Sequence, residues 1–128
     1  MDYRTEAPAL IRDFLVYHET IQGHSSRTID EYFLDLRSFF RYIKQKKDLI
    51  SKDVPFDSIM IDDVDLSLVH SITLSDVYDF MSFLFQDRSL TATSRARKVA
   101  TIRSFYKYLT NKAKLLRENP VQDLDSPR

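Results

Sequence analysis

The sequence predicts an all-α protein that folds as one domain. A single glycine, Gly23, and four prolines among 128 residues argue against a turn-rich β sandwich or barrel. Apolar residues recur every three or four positions along several segments, which is the spacing of helices with one buried face. The hydrophobic content of 43% is sufficient for a buried core, and 128 residues suit one compact domain.

The first helix is predicted from about Ala7 to Gln22 and the second from about Ser26 to Lys47. Gly23 ends the first helix, because glycine readily adopts the left-handed conformation that follows a helix. The apolar stripes are Leu10, Phe14, Tyr17 and Ile21 in the first helix, and Ile29, Phe33, Leu36, Phe40 and Ile43 in the second. Hydroxyl groups at Ser25, Ser26 and Thr28 can all cap the second helix, and the pattern leaves the choice among them open.

A long connection is predicted from 48 to 72, with one short helix near Leu66 to His70. A capping signal at Thr73 to Asp76 begins a third main helix that ends near Arg88. The fourth main helix runs from Thr91 to about Ala113, and the later Asn119-Pro120 step prevents its continuation. The core positions of these two helices are Val77, Phe80, Met81, Leu84 and Phe85, then Val99, Ile102, Tyr106 and Leu109.

The charges are strongly separated along the chain, although 19 basic residues balance 19 acidic ones. Residues 88–117 contain nine Lys or Arg and no Asp or Glu, whereas residues 48–87 contain nine acidic residues and one lysine. A basic helix with interleaved aromatic residues is typical of a surface that contacts a polyanion. A solvated helix face that pairs with acidic residues elsewhere explains the same run equally well.

Several kinds of chemistry are excluded or disfavoured by composition. The absence of cysteine excludes disulfides, thiolate metal sites and a cysteine nucleophile. The three histidines are scattered, and one glycine cannot build a phosphate-binding loop. No segment has the ~20 apolar residues that a membrane span needs, and the N-terminus lacks a signal-peptide pattern. We therefore expect an intracellular protein with no cofactor, no metal and no membrane contact.

Two hydroxyl-rich helix starts and one helix face are candidates for contacts with nucleic acid. The second and fourth helices open with Ser25-x-x-Thr28 and Thr91-x-x-Ser94. Free amides at helix N-termini bind phosphate, but ordinary N-capping explains these residues without a ligand. The residues that share one face of the fourth helix, at i, i+3, i+4 and i+7, are Ser94, Arg97, Lys98 and Thr101.

Three strings of residues, in order and at suitable distances, resemble the N-terminal core-binding domain of tyrosine recombinases, the phage-integrase and Xer group. The first string is Thr28-x-x-x-Tyr32-x-x-Asp35-Leu36-x-x-Phe39-x-x-Tyr42, which is similar to the second helix of that domain. The second is Ser94-x-x-Arg97-x-x-x-x-Ile102-Arg103-x-Phe105-Tyr106-x-Tyr108-Leu109, which is similar to its last helix. The third is Asn119-Pro120 with Leu124 and Pro127-Arg128, at the junction with the catalytic domain.

The resemblance implies a four-helix, SAM-like orthogonal bundle that forms half of a C-shaped clamp around DNA. It implies a helical core-binding domain over 1–118 and the start of a linker over 119–128, without catalysis in this chain. The DNA contacts carried over by position, with their neighbours, are Thr28, Arg37, Ser94, Arg95, Arg97, Lys98, Thr101 and Arg103. For Arg103, an ion pair with Asp35 is as good an interpretation as a phosphate contact.

The partners that the resemblance implies are double-stranded DNA at a recombination site, the protein's own catalytic domain and other recombinase protomers. The implied location is the cytoplasm of a bacterium or a phage host, in association with the nucleoid. The complete protein would be a tyrosine recombinase that forms a 3′-phosphotyrosine intermediate. The alternative function is a helical protein-interaction domain, in which the basic and acidic segments serve partner binding.

Overall fold

The structure, a computed structural model, describes residue 3 and residues 5–127. This part of the chain contains five α-helices, one turn of 3-10 helix (Phe56–Ser58) and no strand, which confirms the predicted all-α class. The helices are α1 (Ala9–Thr20), α2 (Ser26–Lys46), α3 (Leu66–His70), α4 (Leu74–Gln86) and α5 (Ala92–Asn111). The chain divides into two compact units: unit 1 ends at Asp65, and unit 2 begins at Leu66.

In unit 1, α1 and α2 pack against each other and are joined by a short turn. Gly23 in this turn has a φ of +72°, which confirms its predicted left-handed conformation. α1 is shorter than predicted, because Pro8 occupies its N-cap and the helix ends at Thr20. Ile21 therefore lies beyond the helix and is 70% exposed, so its predicted place in the apolar stripe is wrong. The buried side chains of α1 are Ile11, Phe14 and Leu15.

α2 supplies most of the core of unit 1 and also binds the acidic connection, residues 48–65, that follows it in the same unit. Ile29, Phe33, Leu36, Phe40 and Ile43 are all buried, as the apolar spacing predicts. Near the end of the helix, the Arg41 side chain donates from Nε to the carbonyl oxygen of Ile59 at 2.8 Å. Lys44 donates to the carbonyl oxygen of Met60 and to Asp63, both at 2.7 Å. Part of the basic end of α2 is thus used inside unit 1.

Replacing Arg41 with methionine is expected to destabilise the domain by about 1–3 kcal/mol, because the buried carbonyl of Ile59 loses its donor. Urea unfolding followed by far-UV circular dichroism measures the change. Lys52→Met is the matched control: it removes the same charge from an exposed position of unit 1 and should cost less than about 0.5 kcal/mol. Equal losses in the two variants would contradict a structural role for Arg41.

Unit 2 contains α3, α4 and α5. α4 begins with the predicted capping box: Thr73 Oγ1 accepts from the Asp76 amide at 3.2 Å, and Asp76 Oδ2 accepts from the Thr73 amide at 3.0 Å. The Tyr106 hydroxyl of α5 donates to the carbonyl oxygen of Val69 in α3 at 2.6 Å. Phe85, predicted as a core residue, is 58% exposed, because it lies at the edge of the α4 stripe near the end of the helix.

The segment after α5 packs within unit 2. Asn119 Oδ1 accepts from the Val121 amide at 3.0 Å and fixes a turn in which Val121 and Leu124 are buried. The predicted start of a linker at residue 119 therefore coincides with an ordered turn. The proposed division of the chain at residues 118 and 119 stays a prediction.

Candidate nucleic-acid interface

The strongest candidate surface is the exposed side of α5. This helix carries five basic residues and no acidic one, and unit 2 holds ten Lys or Arg against six Asp or Glu. Successive residues of a helix are rotated by about 100°, so positions three, four and seven apart share a side. The residues of α5 that face outward at this spacing are Thr93, Arg97, Ala100, Ser104 and Lys107.

Small side chains separate the two cations on this exposed side. Thr93, Arg97, Ala100 and Lys107 are exposed, and Ser104 is half-buried. Alanine and serine at positions 100 and 104 leave the helix backbone accessible to a surface that approaches it. Lys107 was not among the predicted contacts, but the steps of three and four residues from Arg97 through Ala100 and Ser104 to Lys107 could have identified it as part of the same exposed side.

The structure separates the four residues that were predicted to share a DNA-binding face. Ser94 is half-buried at the start of α5 and Arg97 is exposed. Lys98 and Thr101 are only 8% and 1% exposed, and the Thr101 hydroxyl donates to the carbonyl oxygen of Arg97 at 3.2 Å. Lys98 and Thr101 lie on the part of α5 that borders the buried Ile102, so their side chains are largely turned inward.

Arg95 and Arg103 lie on a different side of α5 from Arg97. Two residues correspond to about 200° of rotation, which places Arg95 nearly opposite Arg97. The Arg95 guanidinium lies over the ring of Phe85, 4.7 Å from its centre. Arg103 donates to the carbonyl oxygen of Leu124 and to Ser126 Oγ, the latter at 3.4 Å. Both arginines therefore face α4 or the C-terminal segment of unit 2.

The N-terminus of α5 has the geometry that its hydroxyl pattern predicts. Thr91 Oγ1 accepts from the Ser94 amide at 3.2 Å and donates to Ser94 Oγ at the same distance. No acidic residue lies in the first turn, so the positive end of the helix dipole is not neutralised there.

Within unit 1, the N-terminus of α2 has the same arrangement. Ser25 Oγ accepts from the Thr28 amide at 3.2 Å and donates to Thr28 Oγ1 at 3.1 Å, which identifies Ser25 as the cap. His18 and His24 lie beside this cap with ring centres 5.2 Å apart. Burial, and then the charge of His24, lower the pKa of His18, so His18 adds no positive charge here at neutral pH.

Arg37, predicted as a DNA contact on α2, already has partners within unit 1. It forms an ion pair with Glu6 at 3.0 Å, and its guanidinium lies 5.5 Å from the centre of the Phe33 ring. A phosphate would have to compete with Glu6 for this side chain.

Within residues 3 and 5–127, no group of three His, Asp or Glu side chains is arranged to hold a metal ion. None of the helices in this part of the chain is long and apolar enough to span a membrane.

Comparison with known proteins identifies the domain. Residues 60–113, which include α3, α4 and α5, match the N-terminal SAM-like domain of phage integrases. The chain is 46% identical over 121 residues to the tyrosine recombinase XerC of Caldanaerobacter subterraneus subsp. tengcongensis. The aligned residues make up 94% of this chain and 34% of that relative. Residues 60–113 of the chain therefore belong to the phage-integrase N-terminal SAM-like family. No solved structure matches it.

Other relatives match the same share of their own length. The chain is 30% identical over 119 residues to the tyrosine recombinase XerD of Listeria monocytogenes serotype 4b, with 93% of this chain and 34% of the relative covered. It is 31% identical over 124 residues to the tyrosine recombinase XerC of Myxococcus xanthus, with 97% and 34% covered. The chain thus spans about a third of the length of these relatives. Its match is to their SAM-like domain and not to a catalytic domain.

Proposed function

We propose that this SAM-like domain binds double-stranded DNA through the exposed side of α5. The observation that carries the proposal is the exposed pair Arg97 and Lys107, on a helix without acidic residues and with Ala100 and Ser104 between them. The major groove of B-DNA is wide enough to admit an α-helix. Small central side chains allow the backbone to come close, while long cations three turns apart can reach phosphates on both sides.

The helix N-termini support a second kind of phosphate contact. At α5, the Thr91 cap leaves the amides of Ala92 and Thr93 without an intrahelical acceptor, as at the start of any α-helix. Such amides favour an anion, and Thr93 and Ser94 add hydroxyl donors. In unit 1, we propose that the N-terminus of α2, with Thr28, makes a further contact with the DNA phosphate backbone. The other predicted contacts are all more buried than Arg97 and Lys107, and they remain predictions: Lys98, Thr101, Arg37, Arg95 and Arg103.

The family match of residues 60–113 supports a role in site-specific recombination. We propose that the complete protein is a tyrosine recombinase that acts inside a bacterial cell. This domain would grip one recombination half-site as half of a C-shaped clamp, while a separate catalytic domain cleaves the strand. Other protomers on the same DNA would be its protein partners. In this arrangement the domain positions DNA and performs no chemistry.

A salt titration of binding to duplex DNA tests the proposal. The observed association constant, measured by fluorescence anisotropy with a labelled duplex, should fall as salt rises, with a log–log slope of about −0.9 for each phosphate neutralised. Amide shifts in a ¹⁵N-labelled sample should be concentrated along α5 from Thr93 to Lys107 and at the start of α2. Salt-insensitive binding, or shifts confined to the acidic connection of unit 1, would contradict DNA binding by this surface and favour protein interaction.

A further inference from the structure

The C-terminal segment of unit 2, residues 119–127, is held by an arginine of the proposed DNA-binding helix. Arg103 of α5 donates from Nη2 to the carbonyl oxygen of Leu124 and from Nη1 to Ser126 Oγ, the latter at 3.4 Å. A planar guanidinium presents several donors in a fixed arrangement. One side chain of α5 therefore holds two acceptors of the C-terminal segment at once.

Packing and a second hydrogen bond fix the same segment. Val121 and Leu124 are buried, at 0% and 4% exposure, and the Leu124 amide donates to the carbonyl oxygen of Val121 at 3.1 Å. The Tyr78 hydroxyl of α4 accepts from the Asp125 amide at 3.1 Å. The C-terminal segment is therefore an ordered part of unit 2 that is attached to both α4 and α5.

Arg103 differs from the exposed cations of α5 in what its charge contacts. Its half-buried guanidinium binds a carbonyl and a hydroxyl oxygen of the protein, whereas Arg97 and Lys107 are exposed. Six residues separate Arg103 from Arg97, which corresponds to about 120° around a helix. The same helix thus carries the proposed DNA contacts on one side and the C-terminal segment on another. The position of α5 on a duplex would consequently set the position of this segment.

We propose that Arg103 is a positioning residue, which holds the C-terminal segment against α5 and so fixes where the chain leaves the DNA-bound helix toward the catalytic domain. The inference rests on the proposed function. Residues 60–113 match an N-terminal domain, and the chain spans 34% of the XerC relative, so we expect the catalytic domain of the complete protein to follow this segment. A loose segment would let that domain sample many positions, whereas a fixed one raises its effective concentration at the phosphate to be cleaved.

Backbone dynamics of the 128-residue chain test whether Arg103 holds the segment. ¹⁵N relaxation should give order parameters of about 0.85 for Val121 and Leu124 in the original chain, and values below about 0.6 in Arg103→Lys. Lysine keeps the charge that a phosphate contact would need, but it lacks the planar fork that reaches both acceptors. Arg117→Lys is the matched control, because it makes the same replacement at an exposed site and should leave the segment ordered. Unchanged order in Arg103→Lys would overturn the proposal.

Strand cleavage by the complete protein tests the consequence for the reaction. The probe is a duplex that the complete protein selects from a random-sequence library, and the readout is the rate of covalent protein–DNA complex formation at saturating protein. Arg103→Lys and Leu124→Ala should each lower this rate about 10–100-fold, since small displacements of reacting groups have effects of this size. Leu124→Ala should leave the affinity for the duplex unchanged, because Leu124 is buried and lies outside the proposed DNA contacts. Tyr78→Phe, which removes only the acceptor of the Asp125 amide, gives a milder test if Leu124→Ala does not fold.

The outcomes distinguish failure of this inference from failure of the proposed function. If the original complete protein forms no covalent complex, the proposed function is wrong, and the positioning role is wrong with it. Cleavage at the original rate by Arg103→Lys and Leu124→Ala, despite a loosened segment, would contradict the positioning role alone. If Arg103→Gln lowers the salt slope of DNA binding by about one and Arg103→Lys restores both that slope and the cleavage rate, Arg103 is a phosphate contact and the proposal is wrong.

Discussion

Replacing both Arg97 and Lys107 with glutamine is expected to lower the affinity for duplex DNA by about 10–100-fold at moderate salt. Both side chains are exposed on the same side of α5, and each can neutralise one phosphate. The loss of two phosphate contacts should also reduce the steepness of the log–log salt dependence by about 1.8. Fluorescence anisotropy at several salt concentrations measures both quantities, and circular dichroism verifies that the helices remain folded.

The matched control removes the same number of positive charges from the C-terminal end of the basic segment, residues 88–117. Lys112 and Lys114 are exposed and follow the last residue of α5, so their double glutamine variant should leave the salt slope within about half a unit of the original. Equal losses in the two double variants would mean that net charge, and not the exposed side of α5, determines binding.

Substitution of Arg97 alone distinguishes recognition of a base from contact with a phosphate. If its guanidinium reads a base, Arg97→Ala should cost about 1–3 kcal/mol and relax the preference at one position of the duplex. If it contacts phosphate, the loss should be similar for all sequences, and the salt slope should fall by about one. Binding to a panel of single-substituted duplexes separates these outcomes.

Much of the fold follows from local sequence. In α2 and α4, the apolar spacing and the capping residues predict the same helix boundaries. The predicted α2 and the capping box of Thr73 and Asp76 at the start of α4 are therefore confirmed almost residue by residue. The errors occur at helix ends. Ile21 continued the apolar spacing of α1, but the helix had already ended, because the chain turns at Gly23. Spacing alone does not show where a helix stops.

The candidate site was less predictable, because a basic residue can serve packing as well as binding. Arg41 and Lys44 on α2 bind carbonyl groups of the acidic connection, and their partners lie more than fifteen residues away in sequence. Spacing also placed Thr101 with Arg97 on one face, yet Thr101 lies at the border that turns inward. A difference of four residues amounts to about 40° around a helix, which is enough to exchange exposure for burial.

Tyr106 is the side chain of unit 2 whose removal should most reduce stability. It is fully buried, and its hydroxyl donates to the carbonyl oxygen of Val69, so Tyr106→Ala removes both a core ring and the hydrogen bond between α5 and α3. The expected cost is about 3–5 kcal/mol in urea unfolding. Tyr106→Phe keeps the ring but leaves the carbonyl without its donor, for a cost of about 1–3 kcal/mol. Equal costs for the two variants would show that the ring contributes little.

The pH dependence of the Tyr106→Phe difference provides an independent measurement. Burial, and then the charge of Asp76, raise the pKa of Tyr106 well above its ordinary value of 10.0. The folded protein therefore keeps this hydroxyl neutral at a pH where the unfolded chain loses the proton. The stability that this provides is complete below the unfolded pKa and is lost as pH rises from there toward the folded pKa. The gap in unfolding free energy between the original protein and Tyr106→Phe should consequently shrink above pH 10.0, and a gap that stays constant would contradict a buried, neutral hydroxyl.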